Sequence, residues 1–362
     1  MKKVKKMITA LATSILVLGC NISAFALGFD INNDGVVNVN DVTFLQNEIS
    51  NFNDNTDYDL NNDGRIDVND ISTLQIEISN NDIKTIEANT KLSVTTNEYK
   101  KNVGDTVTFS ITTNNAISDI TYTSSDSSVA KIISTDSNTV KVKVNKVGSA
   151  TVTAKQCSQS VSVRFSVEKA KCIDLSEWNG SIDFNKVKKS GVTCVILRAG
   201  YGKDPNQEDN KFQEYYRQAK SAGLSVGAYW YSYATSVDAA KAEVKNCMNT
   251  IGGKQFDLPV FLDVEEYRQA VLPRRTLTDI ISAFCDGIKS YGYDVGMYSA
   301  KSMLVDSAYP DELSSKYLIW IAAPNTSYSD LPSYVDLWQY SWNGKVDGIR
   351  GDVDLNYIYN LN

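Results

Sequence analysis

The spacing of apolar residues divides this chain into four stretches. An apolar run from about Met7 to Leu18 comes first. Two short segments follow in which apolar residues recur every three or four positions: Val42, Leu45 and Ile49, then Ile71, Leu74 and Ile78. That period puts them on one face of a helix, so each segment is predicted as a short amphipathic helix. After a polar segment over about 80–89, the pattern becomes alternation in Thr106–Thr112, Val140–Val144 and Ala150–Ala154, with turn residues between the runs. Alternation is the mark of a half-buried strand. From Lys171 strand-like runs alternate with helical stripes. The predicted strands are Cys172–Leu175, Cys194–Ala199, Val226–Tyr231, Pro259–Asp263, Asp294–Ser299, Leu318–Ala322, Asp336–Tyr340 and Val353–Leu355. Helical stripes run through Phe212, Tyr215 and Ala219 to Gly223, through Val244, Cys247, Met248 and Ile251 to Gly252-Gly253, and through Ile280, Ile281, Phe284 and Ile288 to Gly292. Glycine just past the last apolar residue is a helix stop signal.

These patterns predict a multidomain chain: a small α domain, a β-sandwich, and an irregular α/β TIM-like barrel. The later barrel strands leave too little sequence between them for full helices. The predicted boundaries are 1–26, 28–80, 88–168 and 171–362.

Residues 1–26 read as an export signal. Lys2, Lys3, Lys5 and Lys6 precede the apolar run, which is too short to span a membrane, and Ala24-Phe25-Ala26 offers a small-x-small cleavage site. Val17-Leu18-Gly19-Cys20 is a competing, lipobox-like site that would acylate Cys20. Either way the protein is expected outside the cytoplasm. The net charge of −7 argues against nucleic acid or an anionic membrane as partner. The chain has no histidine, which removes Ser-His-Asp and Cys-His catalysis and His-ligated zinc. An enzyme built from this sequence works with carboxylates. Cys157, Cys172, Cys194, Cys247 and Cys285 show no metal-type or redox-type spacing and read as buried thiols.

Two loops carry hard oxygen ligands at matching offsets. Asp30, Asn32, Asp34, Asn38 and Asp41 recur as Asp59, Asn61, Asp63, Asp67 and Asp70, with Gly35 and Gly64 at the sharp turn. Positions 1, 3, 5, 9 and 12 of a calcium loop need such oxygens, and Val36 and Arg65 would add backbone carbonyls. Two calcium ions are expected, with a structural role. Two loop-helix units of this spacing resemble a dockerin over about residues 28–80, and the resemblance implies a cohesin domain of a scaffold as partner. In that family loop positions 10 and 11 guide partner choice. Here Val39-Asn40 and Val68-Asn69 are identical, which implies docking in two orientations. In the middle region, Val103-Gly104-Asp105-Thr106 and Gly148-x-Ala150-Thr151-Val152-Thr153 resemble bacterial Ig-like (Big2-type) domains. A spacer is the role that resemblance implies.

The chemistry is concentrated in Leu258-Pro-Val-Phe-Leu-Asp263-Val-Glu265-Glu266. Strand geometry turns Asp263 and Glu265 to one face, about 6–7 Å apart. Two close acids at the end of an apolar strand raise each other's pKa, and glycoside hydrolysis uses such a pair. In α/β barrels, residues at strand C-termini build the site, which adds Asp174, Arg198, Tyr229, Tyr231 and Asp354. Ile173-Asp174-Leu-Ser-x-Trp178-Asn-Gly180, Gly227-Ala-Tyr229-Trp-Tyr231-Ser, Leu262-Asp263-Val-Glu265, Leu337-Trp338-Gln339-Tyr340 and Val353-Asp354-Leu-Asn356 follow in that order. Together they resemble the glycoside hydrolase family 25 lysozymes, over about residues 171–362. The resemblance implies cleavage of the β-1,4 bond between N-acetylmuramic acid and N-acetylglucosamine in peptidoglycan, without a cofactor. It makes Glu265 the general acid/base and Asp263 the residue that orients the 2-acetamido group. Asp174 would be a further acid of the catalytic site, and Asp354 would bind sugar hydroxyls. Tyr231, Tyr229, Trp338 and Arg198 are the remaining candidates for substrate contact. Trp230 stands where many members have His. A chitinase-type strand fits less well, because Leu258 and Phe261 occupy places where it carries aspartates. A wall-binding module that lost catalysis is the other alternative, and the intact acid pair speaks against it.

Overall fold

The computed structural model describes residues 29–362 except 35, 52–54 and 116–118. The export signal, Cys20 and Gly35 therefore lie outside the described residues. The chain divides into two units, one built on the residues up to Lys91 and the other holding the middle region and the barrel.

In the first unit the two repeats form helices α1 (Val39–Ser50) and α2 (Val68–Ala88). Each begins with a capping box. Asn38 and Asp67 are the N-caps, and the carboxylates of Asp41 and Asp70 reach back to the N-cap backbone. Leu45 and Leu74 are fully buried between the helices, with Ile31, Val37, Val42, Ile71 and Ile78 around them. The polar segment expected to begin near residue 80 is instead helical through Ala88. Residues 79–88 contain no glycine or proline, so nothing local ends the helix.

The middle region forms β1 (Leu92–Val94), β2 (Glu98–Asn102), β3 (Thr106–Thr113), β4 (Thr121–Ser124), β5 (Ala130–Asp136), β6 (Thr139–Val144), β7 (Gly148–Gln156) and β8 (Gln159–Glu168). These pair as two four-stranded sheets, β1-β3-β6-β5 and β2-β8-β7-β4. Alternate residues of β3 and β6 are buried, as the alternation requires. Phe109 of one sheet and Phe165 of the other lie 6.2 Å apart between ring centroids.

The barrel starts one residue after β8. Its strands are β9 (Ala170–Leu175), β10 (Cys194–Tyr201), β11 (Ser225–Tyr231), β12 (Val260–Asp263), β13 (Val295–Ala300), β14 (Leu318–Ala322), β15 (Leu337–Gly344) and β16 (Val353–Ile358). They close in the order β10-β11-β12-β13-β14-β15-β16-β9. All neighbours are parallel except β16, which runs antiparallel to both β15 and β9. Outside the ring lie α3 (Phe184–Lys189), α4 (Phe212–Ser221), α5 (Val237–Ile251), α6 (Tyr267–Ala270), α7 (Arg274–Lys289), α8 (Lys301–Ser307) and α9 (Pro310–Ser314). No α-helix intervenes between β14 and β15 or between β15 and β16. That matches the short sequence there, and the tight β15–β16 connection is what reverses the last strand.

Phe261 fills the barrel floor beside Gly296, where a Cβ would stand 2.5 Å from its ring. The floor is continuous with the core of the middle sheets. Three hydrogen bonds fasten the same end: Val147 N–H to the Tyr359 carbonyl (2.9 Å), Leu361 N–H to the Asn145 carbonyl (2.7 Å) and Asn362 Nδ2 to the Ser128 carbonyl (2.8 Å). The opposite end, where the parallel strands finish, stays open for the polar side chains. No helix of the described residues is long and apolar enough to cross a membrane.

Candidate active site

Strand register gathers the acids at that open end. Asp263 pairs with Tyr231 on one side and Tyr298 on the other, while Asp354 lies opposite Asp174. Asp174 is buried, and its Oδ2 accepts from Asn356 Nδ2 (2.7 Å) and Gln339 Nε2 (3.1 Å). Burial raises the Asp174 pKa, and bonds from Asn356, Gln339 and Asp354 act against that. Asp354 is pushed up to about 8, first by burial and then by the charge of Asp174. The two carboxyls are coupled, the charge of either one making the other harder to ionise.

Asp263 is 5% exposed, and one of its oxygens, Oδ1, has no hydrogen-bond partner. Burial, then the charges of Glu265 and Asp174, hold its pKa well above the usual carboxylate range. Glu265 sits at the pocket mouth and is exposed. The protein around its carboxyl and the charge of Asp174 nevertheless raise its pKa, while the neighbouring Tyr231 hydroxyl opposes the rise. The proton of that hydroxyl goes to Glu266 Oε1 at 2.8 Å. Tyr229 lies close enough to Asp174 and Asp263 to feel both charges, though burial is the larger cause of its raised pKa.

Two expected substrate contacts are placed differently. Trp338 follows the alternation of β15 to the outside, where its Nε1 donates to the Ala323 carbonyl (3.0 Å) and its ring packs near Tyr340 and Tyr328. Gln339 takes the inward position instead. Just beyond, the register of β15 slips between Gln339 and Ser341, an irregularity of the kind that re-aims side chains. Trp342 then donates to Gln339 Oε1 at 2.8 Å and is 57% exposed, so it is the tryptophan of this strand at the pocket rim. Arg198 is held by Asp209 (Nε, 2.7 Å) and Glu177 (Nη2, 2.8 Å). It braces the wall between β9 and β10, and its charge pulls the Asp263 pKa down.

Asn356 and Tyr298 complete the site but were missed as site residues in the sequence. Tyr298 donates to Gln339 Oε1 at 2.8 Å, and Trp320 Nε1 donates to Asn356 Oδ1 at 2.8 Å. Their inward position at strand ends was the available signal.

Residues 173–349 match the model of the glycosyl hydrolases family 25. The barrel belongs to that family. Residues 28–79 match the dockerin type I domain. The chain is 32% identical over 189 residues to an autolytic lysozyme of Clostridium acetobutylicum, covering 51% of this chain and 55% of that protein. It is 29% identical over 198 residues to lysozyme M1 of Streptomyces globisporus, covering 51% and 66%. It thus spans little more than half of the first relative and about two thirds of the second. Among solved structures, a bacterial lysozyme from Streptomyces coelicolor aligns at 29% identity and a TM-score of 0.48, covering 53% of this chain and 92% of that one.

Dockerin domains generally bind calcium, and the two loops here are built alike. In each, the position-12 aspartate is fully buried and accepts backbone N–H groups from both ends of its loop: Ile31 and Asn38 onto Asp41, Leu60 and Asp67 onto Asp70. Asp34 N–H donates to Asp30 and Asn32, and Asp63 N–H donates to Asp59 and Asn61. Among the described residues no three acidic or cysteine side chains cluster as a metal group by themselves. A loop ligand set that includes asparagine and backbone oxygens does not need one. The donors are all hard oxygens, which suit calcium rather than zinc or copper. Cys172, Cys194, Cys247 and Cys285 are buried and form no disulfide, whereas Cys157, also expected to be buried, is only half-buried.

Proposed function

We propose that the protein is a secreted muramidase that hydrolyses the β-1,4 bond between N-acetylmuramic acid and N-acetylglucosamine in peptidoglycan. The observation that carries this reading is Asp263 next to Glu265: a buried carboxyl with an unpartnered oxygen beside a second carboxyl at the pocket mouth. Glu265, its pKa raised, holds the proton that the leaving glycosidic oxygen needs. As the C1–O bond breaks, the 2-acetamido oxygen of the muramic acid residue attacks C1. Asp263 Oδ1 accepts the acetamido N–H, and that hydrogen bond favours its charged form just as positive charge develops. Glu265, now ionised, then takes a proton from the water that opens the cyclic intermediate, so the acid is restored. The Asp174–Asp354 pair sets the charge of the site and binds sugar hydroxyls, and Tyr229 and Tyr231 line it.

The test is mass spectrometry of the reducing ends released from purified peptidoglycan by residues 27–362. Muramic acid ends from the wild type support the reading. N-acetylglucosamine ends would move the cleavage to the other bond, and no new ends would favour a wall-binding module. Trp342→Ala is expected to raise KM about fivefold, for loss of roughly 1 kcal/mol of ring contact, with kcat kept. Steady-state kinetics on soluble glycan fragments measures the split.

The dockerin would hold this enzyme to a cohesin-bearing scaffold through two calcium-filled loops, with exposed Val39 and Val68 at the matching position of each. The middle region, read as an Ig-like domain, would serve as a stiff spacer, since its bonds to the barrel tail leave no free linker. Chelation is expected to melt the dockerin and abolish cohesin binding while changing hydrolysis by less than roughly twofold, because a metal acts on stability only where it binds. Calorimetry with and without EDTA, alongside the glycan assay, checks both halves. Loss of hydrolysis on chelation would contradict the separation.

A further inference from the structure

Behind the pocket wall lies a buried polar group that the reaction as described does not use. Glu243 of α5 is fully buried. Its Oε2 accepts the Ser232 hydroxyl (2.7 Å) and its Oε1 accepts Tyr233 N–H (2.8 Å). Ser232 Oγ in turn accepts from Gln269 Nε2 (3.1 Å) and Ala234 N–H (3.2 Å). Gln269, also fully buried, donates to the Ala234 carbonyl (3.1 Å) and accepts Glu266 N–H (3.3 Å). Glu266 accepts the Tyr231 hydroxyl, and Tyr231 is bonded to Ser232 through the chain. The bonds therefore close a ring that joins the end of β11 to the residues just after β12. Ser232 N–H to the Asp263 carbonyl (2.9 Å) ties the two strands directly.

Burying a carboxylate and an amide costs several kcal/mol unless every donor and acceptor is matched. Docking of α5 does not require them, because Ala240, Val244, Cys247 and Ile251 already form its apolar face. Here the matching is complete. Ser232 Oγ accepts two bonds and gives its one proton to Glu243, which accepts on both oxygens. What the ring fixes is the phenol of Tyr231, the group that bonds Glu266, the residue next to Glu265 in the chain.

We propose that Glu243, Ser232 and Gln269 are positioning residues for glycan cleavage, holding Tyr231 against the Glu265–Glu266 strand end so that Glu265 points at the glycosidic oxygen. This rests on the reading of Glu265 as the general acid/base. None of the three touches the pocket. A displacement of Tyr231 misdirects the proton without changing the sugar contacts, so the loss appears in kcat and not in KM.

The experiment compares the full chain with Glu243→Gln, Ser232→Ala and Gln269→Ala on a soluble tetrasaccharide of alternating N-acetylglucosamine and N-acetylmuramic acid. Each is assayed well below its own Tm. Glu243→Gln keeps the shape but sets an NH2 against either a hydroxyl whose lone pairs are taken or the Tyr233 N–H. Ile251→Val, an apolar loss on the same helix, controls for packing. The expected result is a fall in kcat of about 10–100-fold for the three network variants, with KM within twofold, and an unchanged kcat for the control. If Glu243→Gln does not fold, Gln269→Ala decides, since it leaves the Glu243 bonds to Ser232 and Tyr233 in place. Network variants that lose Tm but keep kcat, or that change only KM, overturn the positioning role. A wild type that releases no ends overturns the muramidase reading and this inference with it. An active wild type, a dead Glu265→Gln and unaffected network variants overturn the inference alone.

Discussion

Replacing Glu265 by Gln is expected to lower glycan cleavage by about 10²–10⁴-fold, the share a positioned general acid supplies, while leaving the protein folded. Gln has the same shape but no proton to give at neutral pH. Glu265 is exposed at the mouth and carries no packing role, so the fold has little to lose. Gln also never ionises, which removes the repulsion that a charged Glu265 would exert on Asp263. The variant should therefore melt at or above the wild-type temperature. Reducing-end release and thermal melts, run together, check both parts. A variant that cleaves at more than a tenth of the wild-type rate would move the proton donor to another group, with Glu266 the nearest candidate.

Asp263→Asn is expected to weaken the enzyme and strengthen the protein. The activity loss, about 10²–10³-fold, follows from removing the only charge that Oδ1 can present to a substrate N–H. The stability gain follows from linkage. The folded-state pKa of Asp263 is raised, so the native protein binds this proton more tightly than the unfolded chain does. The cost to stability is absent below the unfolded pKa of about 4 and grows as pH rises towards the folded value. Asn carries no such cost. Its advantage should be roughly 1–2 kcal/mol at neutral pH, a few degrees in Tm, and should shrink towards zero near pH 4. Melting curves of both proteins at pH 4 and pH 7 measure it. An advantage of the same size at both values would mean that packing, and not charge, is the cause.

Much of the barrel was readable because each strand is short, apolar and bounded by turn signals. Leu318–Ala322 was located to the residue, and the other seven strands within a few residues. The stripes Phe212-Tyr215-Ala219 and Ile280-Ile281-Phe284-Ile288 are buried as their period requires. The acids were readable for a related reason. A carboxylate at the end of an apolar strand has no local purpose, so Asp174, Asp263, Glu265 and Asp354 stood out without a structure. The length of α2 was not readable, because polar residues that end helices in some contexts continue them in others.

By itself, then, the sequence determined what period and chemistry can encode: two repeated oxygen-rich loops, an alternating middle region, an eight-stranded barrel pattern, and a site built from carboxylates in a chain without histidine. Only the tertiary structure decided which neighbours those residues have. Trp338 and Trp342 are four positions apart; alternation turns the first outward, and a slip in strand register between them brings the second to the rim. Arg198 turns to Glu177 and Asp209 because the fold brings those acids to it. Glu243 lies on a helix whose period marks a core face; its partner Ser232 lies 11 positions away in sequence, and Gln269, which bonds Ser232 in turn, lies 26 away. Periodicity records the direction in which a side chain points, whereas hydrogen bonding depends on what the rest of the chain has placed there.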